Sequence, residues 1–294
     1  MRKYIDAEAL MKLIQRQGYL DFLRRNRERP IIKVVSGIRR CGKSTLFRLF
    51  KDELLADNVK PEQIISINFE ELEYEHLRDY HALYQYILER MQPDEMNYIF
   101  LDEIQHVDQF HRVVDSLFVK ENTDLYITGS NAYFMSSDIA TLLTGRYVEI
   151  QMLPLSFREF YHSKYDGNQY SLIPAYESYL RESSFPYTQQ LGGEDFDIQE
   201  YLRGLYNTLL LHDVVARLKI NDVTILQDMV RYIMANVGSL LSPNKIANSL
   251  VSAGRKIDNK TVERYLQGLQ DSLLLYKVNR YDVRGKELLR INAK

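Results

Sequence analysis

The 294-residue sequence predicts an α/β protein: a parallel five-stranded sheet with helices on both faces, followed by smaller helical parts. Three observations carry this. Five short apolar runs alternate with helical patterns. The first run ends in a glycine-bordered loop, Gly37-Ile38-Arg39-Arg40-Cys41-Gly42-Lys43-Ser44, and the third ends in two adjacent acids, Asp102-Glu103.

The elements follow in order. Ile5, Leu10, Leu13, Ile14, Tyr19, Leu20, Phe22 and Leu23 are spaced for a helix through about residue 29. Strands are predicted near 31–36, 64–69, 98–101, 125–128 and 147–152 with helical patterns between them, the alternation that marks a parallel sheet covered by helices on both faces. Beyond Pro154 the periodicity becomes helical over 157–161, 173–181 and 198–218, interrupted by a turn-rich stretch over 183–195. In the last third, Ser242-Pro243 opens a helix to about 252, Gly254 marks a turn, and a second helix runs over 258–271. Strands over 273–278 and 288–291 around Asp282-Val283-Arg284-Gly285 complete the layout of a winged helix-turn-helix. The expected domains are a core over 1–160, a helical lid or linker over 161–235, and a winged-helix domain over 236–294.

The loop matches the phosphate-binding pattern G-x-x-x-x-G-K-[ST] and lies between a predicted strand and a helix carrying Thr45, Leu46, Phe47, Leu49 and Phe50. Gly37 and Gly42 leave room for backbone N–H groups to curl around a phosphate at the positive end of that helix. Lys43 then reaches the β- and γ-phosphates, and the Ser44 hydroxyl ligates Mg²⁺. Cys41 is a small filler in the loop. Asp102 closes the third strand where it can hold Mg²⁺ through water, and Glu103 beside it suits a base that deprotonates an attacking water, a hydrolase's device. Ser130 or Asn131, after the fourth strand, is placed to touch the γ-phosphate or the water. Arg146 is expected at a helix end before the fifth strand, where it either stabilises the transferring phosphoryl group, in this subunit or a neighbour's, or is a surface residue. Asp213 and Arg217 are spaced for a salt bridge on one helix, and His106, His111 and Asp108 read as surface residues rather than a metal site.

Together, Gly37 to Ser44 with Thr45, Ile67-Asn68-Phe69-Glu70-Glu71, Phe100-Leu101-Asp102-Glu103-Ile104-Gln105, Thr128-Gly129-Ser130-Asn131 and Leu153-Pro154-Leu155-Ser156-Phe157-Arg158-Glu159-Phe160 resemble the AAA-type branch of P-loop ATPases. In particular the chain is similar, from about Arg2 to Leu289, to archaeal and bacterial ATP-binding proteins with a C-terminal domain of unknown function. The last string is the most restrictive, because it has no general nucleotide role. The resemblance implies sheet order 5-1-4-3-2, ATP as the nucleotide, the usual roles for Lys43, Ser44, Asp102 and Glu103, a sensor at Ser130 or Asn131, and an arginine-finger candidate at Arg146. It also marks Asp213 with Arg217 as a family feature. Members of the group usually continue past a point like Ile291 to Lys294 into a nuclease-like segment, so either a removed segment or a short natural form is expected.

One cysteine excludes an internal disulfide, and no run approaches the roughly 18 apolar residues of a membrane span, which points to a cytoplasmic setting. The net charge of −2 hides an asymmetry: residues 1–40 carry 11 basic against 4 acidic side chains, residues 244–294 carry 11 against 5, and the stretch between carries 16 against 31. Lys260 and Arg264, one turn apart on the second helix of the last domain, and Arg284 and Lys286 on its wing, are the candidate nucleic-acid contacts. The expected function is Mg²⁺-dependent ATP hydrolysis coupled to domain arrangement, with DNA or a protein partner at the C-terminal domain and scope for a homo-oligomer. A slow nucleotide-operated switch and a DNA-binding regulator with little turnover stand as alternatives.

Overall fold

The structure, a computed structural model, describes residues 13–130, 143, 145–165, 170–191 and 195–278. The chain divides into two compact units, Met1–Tyr201 and Leu202–Lys294.

The first unit is built on five parallel strands: β1 (Ile32–Gly37), β2 (Ile64–Asn68), β3 (Asn97–Asp102), β4 (Thr123–Ser130) and β5 (Tyr147–Met152). Their spatial order is β2-β3-β4-β1-β5, the expected order read from the other edge. β1 and β3 are buried at every position, so their continuous apolar spelling reflects burial on both faces.

Alternate side chains along each strand serve opposite layers. Ile32, Val34, Ile99, Leu101, Leu125 and Ile127 pack with Leu83 and Ile87 of α3 (Tyr80–Leu88) and with Val113, Val114 and Leu117 of α4 (Phe110–Phe118). On the other face, Phe100 stacks on Tyr126 with centroids 4.7 Å apart, and Phe47 and Phe50 of α2 (Lys43–Ala56) meet this pair edge-on or tilted. These rings fix α2, and with it the loop at its start, against the sheet. α1 (Gln17–Asn26) buries Leu20, Phe22 and Leu23.

After β5 the chain turns helical, with α5 (Phe157–Tyr165), α6 (Leu172–Glu182) and α7 (Asp195–Thr208). In the second unit a π-helix (Leu209–Ala216), α8 (Val223–Met234), α9 (Pro243–Ser252) and α10 (Asn259–Asp271) surround a core of Val214, Leu226, Met229, Ile246, Leu250, Val262 and Leu269. Side chains cap three of these helices as their spelling requires: Asp222, Ser242 and Asp258 each accept from a backbone N–H in the first turn.

Two expectations change here. Residues 273–278 form no strand: α10 is closed by Leu273 in a left-handed conformation (φ 59°), and the chain after it has no ladder partner among the described residues. The expected second wing strand, with Arg284 and Lys286, lies outside the described residues. The 198–218 helix is also not uniform, because the π-helix interrupts it and Arg217 donates to Asp271 on α10 at 2.5 Å. No helix among the described residues is long and apolar enough to cross a membrane.

Candidate nucleotide site

The candidate site lies at the carboxyl edge of the sheet, where β1 separates β4 from β5. The edge between strands whose connections run in opposite directions is the usual crevice of such sheets.

The glycines do distinct work. Gly37 has φ 153°, and a Cβ there would sit 2.2 Å from the Met152 carbonyl oxygen, so only glycine lets β1 and β5 close together under the loop. Gly42 takes φ 103° as the N-cap of α2. Between them Arg40 adopts a left-handed φ of 63°, completing the curl. Cys41 is buried, and burial pushes its thiol above the ordinary range.

Lys43 points inward. Its Nζ stands 3.2 Å from Glu103 Oε1 and donates to the carbonyls of Gly37 at 3.3 Å and Ile38 at 3.4 Å. Glu103 follows the end of β3 in a left-handed conformation (φ 55°, ψ 48°), uncommon for a residue with a side chain and concentrated at functional sites. That turn brings its carboxylate back toward Lys43, while Gln105 Nε2 donates to its other oxygen at 2.5 Å. Burial works to raise the Glu103 carboxyl, but the Lys43 charge and the hydrogen bonds from Gln105 and Lys43 hold it below the usual range.

Asp102 behaves oppositely. Burial raises its carboxyl against hydrogen bonds from Ser44 and Thr128. Thr128 Oγ1 ties the acidic pair together, donating to Asp102 Oδ1 and accepting from the Glu103 N–H at 2.9 Å. Sequence reasoning gave Thr128 no role, although its place near the end of the strand beside β3 was the available signal.

Thus Gly37 to Thr45, Asp102 and Glu103 converge. Ser130 stands directly beside Gly37 in the β1–β4 register, whereas Asn131 lies outside the described residues. Arg146 is not brought to this edge. It precedes Tyr147, which pairs with Ile32 at the amino end of β1, about six residues or 20 Å down the sheet from Gly37. There it is half exposed and pairs with Asp115 at 2.9 Å. Arg39 meets Glu70 at 3.1 Å, and Glu70, Glu103 and His106 bring ligand-capable atoms within 4.8 Å of one another, so His106 groups with these acids rather than with His111 and Asp108. In the second unit, Lys260 and Arg264 are both exposed on α10.

Comparison with known proteins agrees with the fold. Residues 29–161 match the family described as an AAA domain, and residues 173–294 match a Domain of unknown function (DUF8612). An uncharacterized protein of Haemophilus influenzae is 39% identical over 285 residues, covering 96% of this chain and 70% of its own. The uncharacterized protein MJ1544 of Methanocaldococcus jannaschii is 30% identical over 274 residues, and this chain spans 58% of its length. Among solved structures, the Walker-type ATPase paby2304 of Pyrococcus abyssi superposes with a TM-score of 0.60 at 16% identity, covering 96% of this chain and 93% of that one, a likeness of fold.

Proposed function

Because the chain belongs to the family of AAA-type P-loop ATPases that carry a C-terminal domain of unknown function, we propose that it binds ATP with Mg²⁺ at the β1–β3 edge and hydrolyses the terminal phosphoanhydride. The observation that carries this reading is the convergence of Lys43, Ser44, Asp102 and Glu103 on one glycine-bordered loop. The residues fit the ligand. The loop curls through the left-handed Arg40 and Gly42 into the N-terminus of α2, and the Ser44 hydroxyl beside the Asp102 carboxylate is a donor set for a hard divalent cation.

In this reading the loop's N–H groups and Lys43 hold the β- and γ-phosphates, while Ser44 and, through water, Asp102 hold the metal. Magnesium, when bound, supplies charge neutralisation at the phosphate oxygens. Glu103 takes the proton of a water as its oxygen bonds to the γ-phosphorus and the bond to the β-phosphate oxygen breaks, giving ADP and inorganic phosphate. Lys43 must leave Glu103 to meet the phosphates, so filling the cradle also frees the base. Ser130, beside Gly37 at the end of β4, or Asn131 after it senses the γ-phosphate. Arg146, at the amino end of β5 and paired with Asp115, either stabilises the transferring phosphoryl group in a neighbouring subunit's site of a homo-oligomer or is a surface residue. The exposed Lys260 and Arg264 favour contact with DNA or a protein partner through the second unit, and the setting is cytoplasmic.

The test is phosphate release by the purified protein with Mg²⁺ and ATP, with and without chelator and with and without double- and single-stranded DNA. Metal-dependent turnover that disappears in Glu103→Gln is expected. Turnover indifferent to chelator, or equal in Glu103→Gln, overturns the assignment. Weak turnover unmoved by DNA favours the slow switch.

A further inference from the structure

Arg16 lies just ahead of α1 and outside the residues that match the AAA domain, yet its side chain is only 5% exposed and its contacts gather beneath the phosphate loop. Nη1 donates to the carbonyls of Cys41 at 3.3 Å and Leu153 at 2.6 Å. Nη2 donates to the Pro154 carbonyl at 3.2 Å and to Glu159 Oε2 at 3.0 Å, and Nε donates to Glu159 Oε1 at 2.7 Å. The guanidinium lies 4.4 Å from the centre of the Tyr19 ring, and Tyr19 Oη accepts from the Leu153 N–H at 3.2 Å. Glu159 also accepts from the N–H and hydroxyl of Ser156 at 2.8 and 2.9 Å, which closes the start of α5.

A buried guanidinium is costly unless its donors are met, and well-packed apolar residues hold a helix to a sheet at no greater cost. What the fork supplies here is direction. In a planar trans peptide the C=O and the following N–H point opposite ways. Anchoring the Cys41 carbonyl on Arg16 therefore turns the Gly42 N–H to the other side of the loop. The bidentate carboxylate of Glu159 fixes the guanidinium plane that does this.

We infer that Arg16 and Glu159 are a positioning pair for the phosphate loop, holding the Cys41–Gly42 peptide with its N–H turned into the cradle. This accounts for the glutamate in Leu153-Pro154-Leu155-Ser156-Phe157-Arg158-Glu159-Phe160, a string with no place in general phosphate chemistry. The inference rests on the ATP-site reading above.

The experiment measures fluorescent ADP and ATP binding, steady-state turnover, and amide hydrogen exchange over residues 38–43 in Arg16→Lys and Glu159→Gln, with Lys43→Ala alongside. Arg16→Lys keeps the charge and loses the fork, and Glu159→Gln keeps the shape and loses the charge. Each is expected to raise Kd and KM roughly tenfold, the effect of losing one charge-assisted hydrogen bond, with kcat at saturation nearly unchanged. The double variant is expected to be no weaker than the weaker single one, and loop exchange to quicken. A lowered melting temperature with unchanged nucleotide affinity and unchanged loop exchange overturns the pair as a positioning device. If Lys43→Ala loses nucleotide while both pair variants keep it, only this inference falls. If Lys43→Ala binds as tightly as the parent, the ATP-site reading falls and this one with it.

Discussion

Lys43 and Glu103 form a buried ion pair at 3.2 Å, with side chains 4% and 7% exposed. The cation assigned to phosphate and the carboxylate assigned to water therefore neutralise each other across the cleft. Each is what allows the other to be charged so far from water, and removing one leaves the other stranded.

Lys43→Met should consequently do two separable things. It should abolish nucleotide binding, and it should destabilise the nucleotide-free protein by about 3–5 kcal/mol, the usual cost of orphaning a buried charge. Glu103→Gln should retain binding and lower turnover by roughly 10²- to 10⁴-fold. Calorimetric titration with chemical denaturation checks both, and a Lys43→Met protein as stable as the parent would show that the pair is not closed in solution.

The same pair predicts the acid limb of stability. The folded Glu103 carboxyl is depressed, so its contribution is present above the ordinary carboxylate range near 4.5 and is lost as pH falls through the depressed value. Asp102 works with the opposite sign: its raised carboxyl costs stability above that range and is relieved on protonation. Glu103→Gln should therefore flatten the fall in melting temperature on acidification, and Asp102→Asn should steepen it. Thermal melts across the acid range, without nucleotide, read both slopes.

Gly37→Ala places a methyl group 2.2 Å from the Met152 carbonyl oxygen, whereas the same change at Gly145 (φ 74°) meets nothing within 4 Å among the described residues. The second variant should cost about 1–2 kcal/mol, the price of a left-handed conformation alone. Gly37→Ala should cost more and should also weaken nucleotide binding, because β1 and β5 must part beneath the loop. Equal losses in the two variants would mean that the close approach relaxes freely.

At the other end of the sheet, Lys33 and Asp124 form an ion pair with both side chains fully buried. Asp124 also accepts from Tyr126 Oη at 2.6 Å and the Glu28 N–H at 2.8 Å. Asp124→Asn should destabilise the fold by about 3–5 kcal/mol. It should leave nucleotide affinity within about twofold, since independent sites this far apart are nearly additive. Chemical denaturation beside nucleotide titration separates the two, and a large loss of affinity would show that strain passes along β1 to the loop.

β1 and β3 were readable because burial on both faces writes itself as uninterrupted apolar runs, and the edge strands β2 and β5, only partly buried, were readable from their place in the alternation with helices. The phosphate loop was readable because its chemistry is local. What escaped was tertiary. Arg16 meets Glu159 across 143 residues, and nothing in its neighbours' spacing marks it as buried. Thr128 links Asp102 and Glu103 only because β4 lies beside β3. The left-handed turn at Glu103 has no glycine or asparagine to announce it. The remoteness of Arg146 was recoverable in principle, because a residue that begins a parallel strand lies at the amino edge whenever the loop sits at the carboxyl edge.

Cys41 is the chain's sole cysteine, and it faces inward from the bend between the two loop glycines with its thiol held in the unreactive protonated form. The parent protein thus offers a silent background for maleimide chemistry. A cysteine introduced at the surface accepts a dye alone, and slow modification of Cys41 itself becomes a stopwatch for how often that bend springs open.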